Sequence, residues 1–221
     1  METLQKLRKK DRCLLALDME LDVEKLDKEF FEELYLFGYD GLILDFRDVK
    51  PIYDLVNRDV YSLFKDKIFI KFHFSHKNST LNKREAKKNI RRIKGKLDKL
   101  DLKYALSIDD TYLSVLNPNE LYSLNIKVLK LQRVDWRILN KLLSHPVFFE
   151  VSLKKLMSDE LYSRNIYPKL EILEKKGKLL FSQYIPYIPV KFMPYIVNII
   201  TSKKVFGYGP LIRWWGALNA I

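Results

Sequence analysis

Cysteine is nearly absent from this chain. Cys13 stands alone, so a disulfide and a thiolate-built zinc site are both excluded, and a reducing compartment is expected. Histidine is almost as scarce. With only His73, His76 and His145 in 221 residues, a multinuclear metal centre would have to be built almost wholly from carboxylates, and no bound metal is expected. Glycine is low too: there are seven, and neither GxGxxG nor GxxxxGK[ST] occurs, which removes the glycine-rich phosphate cradles. No long apolar run is present. The opening METLQKLRKKDRCLLALDMELD breaks its short one with Asp18, so it reads as neither a signal peptide nor a membrane span. A soluble, cytoplasmic protein without membrane contact is the expectation.

What is there is globular and basic. Hydrophobic residues make up 48% and charged residues 31%, a composition that supports a sizeable core and argues against disorder. No linker interrupts the pattern, so residues 1–221 read as one domain with a short basic segment at 1–12. The formal charge is +12, yet residues 18–33 hold eight acids (Asp18, Glu20, Asp22, Glu24, Asp27, Glu29, Glu32, Glu33) against Lys25 and Lys28. A cationic surface with one acidic patch points to a polyanionic ligand and to a basic protein partner.

The stretch PVFFEVSL (146–153) is too short for a helix and rich in aromatic and β-branched residues, so it reads as a buried strand. Alternation puts Val147, Phe149, Val151 and Leu153 on one side and Phe148, Glu150 and Ser152 on the other. Similar strands are predicted over 13–19, 41–46, 67–75, 104–108, 127–132, 178–185 and 204–208. Helical spacing separates them, including Leu26 to Phe37, a long helix over 81–102, a segment over 156–176 and helices over 190–202 and 210–218. Repeated β then α units with right-handed crossovers predict an α/β fold, a TIM-barrel-like closed parallel sheet with surrounding helices. An open doubly wound sheet is the alternative.

Polar residues recur late in these strands. Asp18, Asp45, Lys71, Glu150, Ser152 and Ser182 are expected to form a polar network at the barrel mouth, accompanied by Glu20, His73, Ser107, Asp109, Lys130 and Gln132. As an enzyme, such a set would offer Lys71 or Lys130 for Schiff-base lyase chemistry with carboxylates moving protons. As structure, it is what a barrel core needs where it meets water, and no catalytic residue is assigned. His73 and His76 have opposite strand parity, so they do not converge on one metal.

In LNKREAKKNIRRIKGKLDKLDL (81–102), Ala86, Ile90, Ile93, Leu97 and Leu100 form one stripe. That leaves Arg84, Lys88, Arg91, Arg92 and Lys99 opposite it and Lys83, Lys87 and Lys94 on the flank. Like charges at i,i+4 weaken a helix, so helix stability did not select this face. A phosphate backbone would relieve the repulsion. The plain alternative is a solvated lysine-rich surface.

LALDMEL (15–21), GYDGLILDF (38–46), FFEVSLKKLM (148–157) and KLLFSQYI (178–185) together resemble ribonuclease P protein component three, the TIM-barrel-like protein subunit of archaeal and eukaryotic ribonuclease P. Glu150, Ser152 and Ser182 match the family's strand-end pattern. Gln183, Tyr184 and Ile185 stand where small residues usually follow the serine, which marks a divergent member. The resemblance implies a non-catalytic subunit that binds ribonuclease P RNA and supports removal of the 5′ leader from precursor tRNA. It also implies a ferredoxin-like protein partner. The RNA and its divalent metal would carry the chemistry, with no cofactor in this chain. Arg84, Lys87, Lys88, Arg91, Arg92, Lys94 and Lys99 are then the expected RNA-binding residues.

Overall fold

A computed structural model describes residues 14–17, 26–36, 39–75, 82–133, 135–182 and 209–219, with backbone alone at 209–212 and 219. Seven strands pair in parallel and in chain order: β1 (Leu14–Ala16), β2 (Gly41–Phe46), β3 (Ile68–Phe74), β4 (Tyr104–Asp109), β5 (Ile126–Lys130), β6 (Phe148–Ser152) and β7 (Leu179–Ser182). Between them run α1 (Lys28–Leu36), α2 (Lys50–Val56), α3 (Asp59–Phe64), α4 (Lys83–Leu97), α5 (Pro118–Ser123), α6 (Trp136–Leu142), α7 (Leu153–Ser158) and α8 (Glu160–Lys175), and α9 (Gly209–Asn219) comes last. The sheet curls into a nearly closed barrel. Strands β1 and β7 approach each other without a hydrogen-bonded ladder.

The strands are buried along almost their whole length, as expected when a parallel sheet has both faces covered. Their side chains divide by parity into two apolar clusters. Leu15, Leu42, Leu44, Ile70, Phe72, Phe149 and Val151 join the helices in the outer layer. Leu14, Ala16, Ile43, Phe69, Ala105, Val128 and Leu180 form the inner cluster. The alternation expected in 146–153 is thus observed, with Phe149 and Val151 outward and Phe148 packed against the inner cluster.

The inner cluster is completed by α9. The helix expected over 210–218 forms, but it packs against β7 and β1 and contributes Trp214, Ala217 and Leu218 to the barrel interior rather than joining the surrounding ring. Trp214 is fully buried and donates its indole N–H to the Phe181 carbonyl at 2.8 Å. Arg213 fastens the helix from outside through a two-pronged pair with Glu174 of α8, at 2.5 and 2.7 Å. The strand expected at 204–208, the helix at 190–202, the segment 1–12, Asp18 and His76 lie outside the described residues.

Two helices are shorter than expected. The 156–176 segment breaks at Asp159, whose extended backbone starts α8 while its side chain accepts the Tyr162 N–H, and Ser152 caps α7 in the same way through Lys155 N. Asn82 caps α4, which ends at Leu97 rather than near 102.

Candidate functional site

Strand register assembles a charged layer directly above the apolar one. Asp45 of β2 is level with Lys71 of β3, and Lys130 of β5 is level with Glu150 of β6. All four side chains point inward by parity with Ile43, Phe69 and Val128. Their head groups meet: Lys71 Nζ lies 2.6 Å from Glu150 Oε1 and 3.5 Å from Asp45 Oδ2. Lys130 Nζ lies 3.7 Å and 3.9 Å from the same two oxygens. Lys71 also donates to the Leu17 carbonyl at 3.3 Å, and its ammonium stands 5.6 Å from the Trp214 ring centre. The plug helix therefore bounds the charged layer on its apolar side.

Two ammonium groups and two carboxylates make this layer formally neutral. Burial opposes a charge on Glu150, but Lys71 and Lys130 outweigh that effect and hold its carboxyl well below the usual carboxylate range. Asp45 Oδ1 and Oδ2, Glu150 Oε2 and Ser182 Oγ are buried without a hydrogen-bond partner among the described residues. Ser182 stands level with Ser152, one inward position beyond Glu150, and Ser152 caps α7. Among the expected network residues, Asp45, Lys71 and Glu150 are the ones brought together, joined by Lys130.

A second polar group lies nearer the strand ends. His73 contacts Asp109 Oδ1 through Nε2 at 3.2 Å and Ser107 Oγ through Nδ1 at 3.1 Å. Gln132 donates to the same Asp109 oxygen at 3.1 Å and accepts from Lys155. Burial works against the Asp109 charge, yet His73 and Gln132 hold its carboxyl below the ordinary value. Asp110 accepts the backbone N–H of Gln132 and Arg133 at 2.8 and 2.7 Å, tying the β4 and β5 ends together.

Imine chemistry needs a free amine pair of electrons. Lys71 is wholly buried and donates to the Glu150 carboxylate and the Leu17 carbonyl, and Lys130 stands against the same carboxylates. Among the described residues no three His, Cys, Asp or Glu side chains converge as metal ligands would. No described helix is long and apolar enough to cross a membrane.

On the outside, α4 buries Ala86, Ile90, Ile93 and Leu97 and leaves Arg84, Lys88, Arg91 and Arg92 exposed, with Lys99 exposed in the turn beyond. The flank is different. Lys83 and Lys87 both pair with Glu120 of α5, and Lys94 pairs with Asp98 at 2.7 Å. Hydrogen bonds from Lys83 and Lys87 pull the Glu120 carboxyl down to about 2, so it stays charged at any working pH. Sequence spacing separated exposed from buried on this helix. It did not reveal that an acid 33 residues downstream of Lys87 neutralises the flank.

No protein-family model matches this chain, and no curated protein matches it.

Proposed function

We propose that this chain is a non-catalytic, RNA-binding barrel that serves as a protein subunit of ribonuclease P and supports RNA-catalysed removal of the 5′ leader from precursor tRNA. The observation that carries the RNA-binding part is the exposed row Arg84, Lys88 and Arg91 on α4. Among the described residues none of the three has a carboxylate partner within 4 Å, while every flanking lysine from 83 to 94 other than Lys88 has one. At 1.5 Å per residue the row spans roughly 10 Å, enough to meet successive phosphates of one strand. The ribonuclease P part rests on the resemblance of the strand-end segments given above. On this reading the partners are ribonuclease P RNA, precursor tRNA through that RNA, and a ferredoxin-like protein subunit. The divalent metal belongs to the RNA, and the compartment is the cytoplasm.

The test is binding of structured RNA at several salt concentrations, with circular dichroism in parallel. Reversing Arg84, Lys88 and Arg91 to Glu should lower the magnitude of the log affinity against log salt slope by roughly 2 to 3 while the helix content is unchanged. A folded triple variant with unaltered affinity and slope would remove α4 from the interface. Recovery of a defined structured RNA with the native protein from cells, and stimulation of leader removal in a reconstituted complex, tests the finer assignment.

A further inference from the structure

Three carboxylate oxygens inside the barrel have no hydrogen-bond donor among the described residues: Asp45 Oδ1, Asp45 Oδ2 and Glu150 Oε2. Both side chains are wholly buried, so bulk solvent does not reach these atoms. A carboxylate oxygen so placed is costly unless a donor meets it. The two ammonium groups do not complete the set. Lys71 Nζ bonds Glu150 Oε1 at 2.6 Å and stands 3.5 Å from Asp45 Oδ2, while Lys130 Nζ lies 3.7 Å from that Glu150 oxygen and 3.9 Å from that Asp45 oxygen. The two longer separations exceed a direct N–H···O bond, which is the situation in which water joins two polar groups. One inward position beyond Glu150, on the neighbouring β7, the buried Ser182 Oγ also finds no partner among the described residues.

We infer that this charged layer is a water-binding site: ordered water molecules donate to the Asp45 and Glu150 oxygens, join them to Lys130, and form part of the folded barrel. The class of ligand follows from the groups already present. The three carboxylate oxygens are acceptors, so the occupant must donate. Two ammonium groups balance two carboxylates, so a bound cation or anion would leave net charge in the interior, and a metal ion would also face Lys71 and Lys130 at close range. The donor is therefore neutral. It is also small, because Trp214 of α9 and the apolar cluster of Ile43, Phe69 and Val128 bound the layer on one side. Each water carries two donors, so three oxygens call for about two molecules. The inference is independent of the RNA-binding reading: the interior of the barrel holds solvent, and a polyanion is met on the outer surface.

The experiment is a high-resolution crystal structure of the full chain, joined by oxygen-17 water relaxation dispersion on wild type and on the double variant Asp45→Leu with Lys130→Met, which keeps the layer neutral. The crystal should show water density about 2.6 to 3.2 Å from an Asp45 carboxylate oxygen and from Glu150 Oε2. The double variant removes two of the three acceptors, so the number of waters held longer than molecular tumbling should fall by about one to two relative to wild type. The density needs no variant, so it decides the question if the double variant does not fold. Absence of density within hydrogen-bond distance of these oxygens overturns the inference. So does an unchanged number of long-lived waters in a folded double variant. Density with contacts of about 2.0 to 2.5 Å, or density of several bonded atoms, would be a metal ion or an organic ligand and would overturn it as well.

Discussion

Lys71 Nζ meets Glu150 Oε1 at 2.6 Å with both side chains wholly removed from solvent. The two residues belong to β3 and β6, which are separated by two strands in the sheet, so the pair spans the barrel interior. Such a pair is costly to desolvate and costly to break.

Removing one partner should therefore do more damage than the pair's net worth. Glu150→Ala leaves the Lys71 charge buried, and about 3 to 5 kcal/mol of stability should be lost in urea denaturation. Replacing Lys71 and Glu150 together with Met should recover much of that loss. If the single variant melts like wild type, the network is not a structural element.

The same carboxyl sets a pH dependence. Its folded value is depressed relative to the unfolded chain, so its contribution is fully present above the unfolded value of about 4.3 and is lost as pH falls toward the folded one. Wild type should then lose stability between pH 5 and 3 more steeply than Glu150→Gln, whose residue 150 does not titrate. Parallel slopes for the two proteins would contradict this assignment.

How much of this was legible beforehand depends on the range of the interaction. Strand parity is local, so the inward set Asp45, Lys71, Lys130 and Glu150 followed from alternation alone, and the exposed row of α4 followed from a period of 3.6. Pairing partners are not local. Nothing near Lys87 announces Glu120, and nothing near Ser182 announces that its hydroxyl finds no hydrogen-bond partner among the described residues. The placement of α9 was also hidden, although its apolar content around Trp214 was a signal: a helix with few polar faces is one that is buried on more than one side.

Trp214 gives a direct test of the plug. It fills the interior between Leu14, Ala16 and Leu180 on one side and the Lys71 ammonium on the other. Trp214→Ala should cost about 3 to 5 kcal/mol, through the cavity left and the loss of the indole N–H bond to the Phe181 carbonyl. Trp214→Phe keeps most of the volume and loses the N–H, so it should cost clearly less. Loss below about 1 kcal/mol for the alanine variant would mean that α9 is dispensable to the barrel.

The cations of α4 should divide into two classes. Arg84, Lys88 and Arg91 are exposed without carboxylate partners among the described residues, whereas Lys83 and Lys87 share Glu120 and Lys94 holds Asp98. A paired lysine must give up its partner before it neutralises a phosphate, so Lys87→Gln and Lys94→Gln should lower the salt slope by much less than the 0.7 to 0.9 or so expected for Arg91→Gln. The converse is the sharper check. Glu120→Gln removes the acid that occupies Lys83 and Lys87, so it should increase both RNA affinity and slope magnitude, with the slope rising by up to about 1.4 to 1.8 if both lysines turn to phosphates. Glu120 also closes the capping box of α5 with Asn117, but Gln preserves that geometry, so stability should change little. Equal slopes for wild type and Glu120→Gln would show that the flank takes no part in binding whether or not it is neutralised.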